Sequence, residues 1–243
     1  SAGLILRALT KVSDCYALDF RKVRLDLNMT KRILMLGVPA GLQNAIFAIA
    51  NLFIQAGVNS FDSLMVKGNS AAANADAMVY DAMAAFYMAC ASFMSQNYGA
   101  GKPERIWMGV KASALMMIVY WAFTFCVLMF GARTFALLFV DASELEILKN
   151  TELFLHISVS FFPVLGLLCI LRYTIQGVGY TNLAMLSGVS EMIARILVSL
   201  LAVPTFGYLA VCFGDPTAWI FADAFLIPAF IYVYRRILRM KKN

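Results

Sequence analysis

Long apolar stretches separated by short polar punctuation recur along the whole chain, at about 33–57, 72–97, 106–131, 152–176, 182–205 and 214–234. Each is close to or above the ~20 residues a helix needs to cross a ~30 Å hydrocarbon core. Strands of a membrane barrel would instead leave segments of about ten residues with alternating polarity, so helices are predicted throughout. Residues 10–32 are mixed in charge and partly amphipathic, which suits an interfacial or connecting helix. The link from 131 to 151 alternates short apolar and acidic pieces. It predicts a turn followed by a helix start, with Ser143 as N-cap and Glu144 and Glu146 in the first turn.

Composition supports this pattern: 62% of the 243 residues are hydrophobic and 14% are charged, against roughly 25% charged in soluble domains. The runs alone leave five or six spans open, and the charges decide between them. Seven basic residues precede the first span, Lys102 and Arg105 sit between the second and third, and five more end the chain, fourteen in all. With six spans these fall on one side, and the opposite loops keep only Lys67, Arg133 and Lys149. The positive-inside rule then places the fourteen, and both ends of the segment, in the cytoplasm. The expected organisation is a connector over 1–32, a six-helix bundle over 33–234 and a basic tail over 235–243. Ser1 opens without methionine, and "SAGLILRAL" reads as the end of an earlier helix, so a cut chain is expected. The net charge of +6 is thus topological and implies no nucleic-acid partner.

Several chemistries are excluded. The stretch "SFMSQNYGAGKPERIW" contains Gly-x-Gly-Lys, but a phosphate loop needs glycine where Gln96 stands and a hydroxyl where Pro103 stands. It reads as a tight turn, with Pro103 and Glu104 in the first turn of the next helix. The five cysteines, at 15, 90, 126, 169 and 212, have no metal or redox spacing. No catalytic triad or metal-ligand cluster appears, so neither an enzyme, a cofactor nor a bound metal is expected.

Ionisable residues inside spans are costly unless they face protein or water, so they are the informative ones. Asp76, Asp81, Glu191 and Asp223 qualify, with Lys111, Arg172 and Arg195; Lys111 and Arg172 lie near span ends, where they can snorkel. Asn44, Asn51, Gln55 and Asn59 share one helix face. That amide stripe either lines an aqueous cavity or hydrogen-bonds neighbouring helices. Asp76 shares a face with Tyr80 and Tyr87, while Asn74 and Asp81 lie roughly opposite. A carboxylate beside phenols attracts small organic cations and titratable protons; the alternative is an acid satisfied by a neighbouring helix. Glu191 and Arg195 are correctly ordered for an i,i+4 structural ion pair. His156, the only histidine, is expected to be structural.

Five stretches in order, "LGVPAGLQNAIFAIANLFIQAGVNSF", "AAANADAMVYDAMAAFYMACASFMSQNYGAGKPERI", "LRYTIQGVGYTNLAML", "SEMIARILVS" and "GDPTAWIFADAFLIP", resemble the second six-helix lobe of multidrug and toxic compound extrusion (MATE) transporters. The likeness is strongest to those of anaerobic Gram-positive bacteria. It implies an all-α membrane protein, a six-transmembrane-helix bundle forming one lobe of a two-lobe, twelve-helix antiporter in a bacterial plasma membrane. Such an antiporter exports cationic or amphipathic compounds in exchange for H+ or Na+. The implied partners are lipid, small organic cations and an N-terminal six-helix lobe, without which this chain is not expected to transport. The sodium-coupled subgroup's glutamate falls on Phe47, and its second acid falls near Val164, Leu165 and Gly166. Asp76 matches a polar position common in the family, and Gln176, Gly177 and Gly179 match the turn after the fourth helix. A lipid-linked oligosaccharide flippase of the same superfamily, or a non-transporting scaffold whose polar residues are helix glue, are the competing expectations.

Overall fold

The computed structural model describes residues 2–11, 26–59, 61 and 63–242. Among these residues the chain is helical with no strand, in two units, one ending at Gly37 and one beginning at Val38. In the first unit lie α1 (Ala2–Lys11) and the start of α2 (Leu27–Val58). The Asp26 carboxylate accepts hydrogen bonds from the backbone N–H groups of Asn28 at 2.8 Å and Met29 at 3.2 Å, satisfying donors a new helix leaves open. The connector expectation for 10–32 falls largely on residues outside the described ones.

The main unit holds the rest of α2, then α3 (Ser63–Gly99), α4 (Pro103–Ala136), α5 (Leu145–Gly177) and α6 (Thr181–Leu197). A π turn, Val198–Ala202, carries α6 into α7 (Val203–Phe206), followed by α8 (Tyr208–Cys212) and α9 (Gly214–Lys242). Among the described residues six helical segments are long and apolar enough to cross a bilayer, and they coincide with the six predicted runs. Each helix outlasts its apolar run, because good helix formers continue the backbone after the side chains turn polar. The basic tail from 235 is therefore the last two turns of α9 rather than a separate segment.

The packing centre is α5, which touches α3, α4, α6 and α9. Apolar residues occur on every face of it, and Leu155, Val159, Phe162 and Ile175 along it are fully enclosed. By contrast α2 buries only Gln43, Ala50 and Val58. In a bilayer this asymmetry costs little, because lipid chains are as apolar as leucine and helix association rests on close packing and polar contacts. Close packing is explicit where α5 meets α3. A Cβ on Gly177 would lie 2.7 Å from the carbonyl oxygen of Ala91, so glycine is required there by the neighbouring backbone. Two residues on, Gly179 has φ +93° and turns the chain into α6. At the other turn on this end, Gly101 has φ +67°, and Pro103 and Glu104 open α4 as the sequence predicts.

The start of α5 departs from expectation. Glu144 takes the N-cap position without a side-chain cap, and Ser143 turns away to donate its N–H and O–H to the Asp141 carboxylate at 3.1 and 3.0 Å. Asp141 comes first in the loop and can fold back on the residue two ahead, a local bond that outcompetes capping. Those two bonds hold the exposed Asp141 carboxyl below its usual range.

Pro163 lies within α5 and cannot donate to the carbonyl of Val159. The indole N–H of Trp121 on α4 fills the vacancy, 2.9 Å from that oxygen. Trp121→Phe keeps most of the apolar contact but strands a carbonyl among residues that exclude water. A loss of about 1–3 kcal/mol is expected, read as a lower midpoint of thermal unfolding in detergent. An unchanged midpoint would mean that the carbonyl finds another donor.

Candidate functional site

A cavity of about 520 Å³ opens in the main unit where α2, α3, α5, α6 and the start of α9 converge. Its lining mixes aromatic walls (Phe47, Tyr80, Phe154, Trp219) with amides (Asn51, Gln55, Asn69) and five charged groups. The volume is that of a site for a drug-sized ligand. The helix periodicity creates it: Asn69, Ala73, Asp76 and Tyr80 recur at three- and four-residue intervals and present one face of α3. Ala73 and Ala77, being small, leave the space that larger side chains would fill.

The five charges are Asp76, Arg172, Glu191, Arg195 and Asp215. Arg172 reaches across from α5 to α6, where its terminal nitrogen meets the Glu191 carboxylate. Its Nε donates to the Ser187 hydroxyl at 3.0 Å. The guanidinium lies 5.2 Å from the centre of the Phe47 ring on α2, a cation–π contact. Arg195 pairs with Asp215 on α9 at 2.9 Å and also donates to the side-chain oxygen of Asn51. The predicted i,i+4 pair between Glu191 and Arg195 is thus not made, since each residue is claimed by a different helix. An i,i+4 pair would leave both on the α6 surface, whereas interhelical pairs neutralise charge and join helices together. Arg172 does not snorkel, being only 7% exposed.

With those two pairs closed, Asp76 is, among the described residues, the charged side chain of the cavity with no counter-ion. Its Oδ1 is buried without a hydrogen-bond partner, as is the Oδ1 of Asn69 two turns away on the same face. The Asp215 carboxylate and the Ser158 hydroxyl are the polar groups that act on it. Behind the cavity, Asp223 on α9 is 6% exposed with an unpartnered Oδ1, in the field of Arg172 and Glu191.

The remaining predicted residues divide. Tyr80 stands in the wall with Asp76, whereas Tyr87, two turns further along the same face, lies beyond the lining and stacks on Tyr173, ring centres 6.0 Å apart. Of the amide stripe, Asn51 and Gln55 reach the cavity, and Gln55 donates to Asn59 at 2.9 Å. Asn44 and Asp81 are exposed and outside the lining. Arg172 and Asp215 were not predicted for the site, Glu191 and Arg195 were predicted only as a structural pair, and Phe47, Asn69, Phe154 and Trp219 of the lining were not assigned to it either. A signal for the first exists: in a helical hairpin turning near 178–180, Arg172 and Ser187 fall at equal depth. Among the described residues no cluster of three His, Cys, Asp or Glu side chains is placed to hold a metal ion.

The fold and the cavity define a class, a multi-pass helical membrane protein whose bundle keeps a polar, ligand-sized space at intramembrane depth. The MatE family profile matches residues 39–201, and the chain belongs to that family. Among solved structures, an outward-facing multidrug resistance MATE transporter of the MOP superfamily aligns with TM-score 0.85 and 18% identity over 100% of this chain and 54% of its own. A MATE protein in complex with MaL6 aligns at 0.83 and 18%, with the same coverage of 100% and 54%. A MOP superfamily transporter from Pyrococcus furiosus Vc1 (DSM3638), described as having a binding pocket of reverse polarity suggesting a different function, also aligns at 0.83 and 18% over 100% and 54%. At such identities the likeness establishes the fold, and the chain spans about 54% of the length of those structures. Among curated proteins none matches the sequence.

Proposed function

We propose that this chain is one six-helix lobe of a secondary antiporter that exports cationic or amphipathic compounds in exchange for H+ or Na+. The observation carrying this reading is Asp76, an unpaired carboxylate in an aromatic-walled cavity whose other four charges are matched. An organic cation gains from the carboxylate and the ring faces together. A proton or sodium ion taken up by the same carboxylate removes that gain, so ion and cargo exclude one another. Exchange requires only that the two access states differ in which of them is preferred.

Pocket polarity argues against a flippase for anionic lipid-linked sugars. Such a cargo needs free cations, and both cavity arginines are already claimed by carboxylates. A second six-helix lobe completes the proposed transporter by facing α2, where Asn51 and Gln55 line the cavity from a helix with few buried residues. The proposed setting is a bacterial plasma membrane, with the Lys102 turn and the end of α9 on the cytoplasmic side.

The test is transport by the chain reconstituted in proteoliposomes with its second lobe supplied. An imposed proton or sodium gradient is expected to drive accumulation of a fluorescent organic cation against its concentration. The chain without that lobe is expected to give none. No gradient-dependent movement of any cationic dye in the two-lobe preparation would leave the scaffold reading in its place.

A further inference from the structure

Away from the cavity, the last turns of α9 form a second concave surface, a groove of about 700 Å³ lined by Pro228, Ile231, Tyr232, Arg235, Arg236 and Arg239. The spacing is helical: 228, 232, 236 and 231, 235, 239 make two adjacent rows on one face. Each row begins apolar and ends cationic. Ile231 is 44% exposed and Tyr232 58% exposed, so the apolar part is unpartnered. Among the described residues none of the three arginines is ion-paired with a carboxylate. Arg236 is oriented by its neighbours, lying 5.7 Å from the centre of the Tyr180 ring with a terminal nitrogen 3.5 Å from the Tyr232 hydroxyl. Glu104, the acid whose field reaches this part of α9, acts on Tyr234, which does not line the groove.

The geometry points to a site for an anionic phospholipid at the end of α9, its headgroup phosphate held by Arg235, Arg236 and Arg239 and an acyl chain lying along Ile231 and Pro228. Guanidinium groups present paired donors that match phosphate oxygens. Basic surfaces at the end of a membrane span recognise anionic headgroups by this means. A free phosphate has no use for the apolar half of the groove, and a zwitterionic lipid brings no net charge to three cations. A phospholipid with an anionic headgroup uses both halves.

The experiment is thermal unfolding of the purified full chain in neutral detergent, titrated with phosphatidylglycerol, phosphatidylcholine or inorganic phosphate. Phosphatidylglycerol is expected to raise the midpoint, with the other two giving little. In the triple variant Arg235→Gln, Arg236→Gln, Arg239→Gln, the apparent affinity for phosphatidylglycerol is expected to fall about a hundredfold. Lys102→Gln with Arg105→Gln, which removes charge from the neighbouring turn, is expected to leave it intact. Retention of the effect in the triple variant, an equal effect from phosphatidylcholine, or reproduction by inorganic phosphate overturns the proposal. If the triple variant does not fold, Arg239→Gln alone is read instead: an affinity about fivefold weaker supports the site, and an unchanged one overturns it.

Discussion

Asp76→Asn is expected to abolish the pH dependence of export and to weaken binding of a monovalent organic cation about 10- to 100-fold. Asparagine has nearly the shape of the neutral acid, so it mimics a permanently protonated Asp76. A unit charge about 4 Å away at an effective dielectric constant near 20 contributes up to about 4 kcal/mol. Competing water recovers part of this, leaving roughly 1.4–2.8 kcal/mol, which is the stated range. A neutral amphipathic cargo, held by Tyr80, Phe47 and Trp219, should be affected far less. The sign of the proton effect follows from the charge. Acidification on the side where the cavity opens protonates Asp76 and releases a cationic cargo, and deprotonation restores binding. In the variant, cation affinity should be flat with pH. Efflux with an unchanged rate and pH profile in Asp76→Asn would remove this residue from the site.

The second large effect concerns stability. Glu191→Ala is expected to destabilise the bundle by about 3–5 kcal/mol, because it leaves Arg172 charged and enclosed without its counter-ion. For a chain of this size that corresponds to a fall of roughly 6–20 °C in the unfolding midpoint. Combining Glu191→Leu with Arg172→Met, which removes both charges and keeps apolar volume, should recover most of the loss. The comparison also separates the observed partner from the one predicted along α6. If Glu191 depended on Arg195, Arg195→Met would couple to Glu191→Ala and Arg172→Met would not. Here the coupling is expected at Arg172, because its terminal nitrogen meets the Glu191 carboxylate. Additive effects of the two substitutions would argue against the pair.

Phe47 illustrates how residues replace one another in such a site. The resemblance places a coupling glutamate of sodium-driven relatives at this position, and here its ring lies against the Arg172 guanidinium. An acid there would compete with Glu191 for the arginine; a phenyl ring adds a cation–π contact and leaves that pair intact. The net negative character of the cavity consequently rests on α3, at Asp76, instead of on α2.

The six spans, the charge asymmetry and the turn at Gly101 were legible in the sequence, because each depends on local quantities: run length, side-chain polarity and backbone freedom; the turn at Gly179 was given only by the family resemblance. So was the cost of enclosing Asp76, since a carboxylate in an apolar run is expensive wherever it packs. Partners were not legible in the same way. Glu191 and Arg195 have the right spacing to pair along one helix, and nothing in that spacing reveals that Arg172 and Asp215 lie closer across helix interfaces. Asn44 and Asp81 carry the same polar signal as Asn51 and Asp76. The rotation of α3 turns Asp76 toward the cavity and Asp81 away, whereas Asn44, on the same face of α2 as Asn51, lies two turns along the helix beyond the lining. The sequence by itself determined which segments cross the membrane and how many charges must be accommodated there, because solvation acts on each residue singly. The tertiary structure alone decided which charges of the cavity cancel and which one there remains, because that depends on distances between residues brought together by packing.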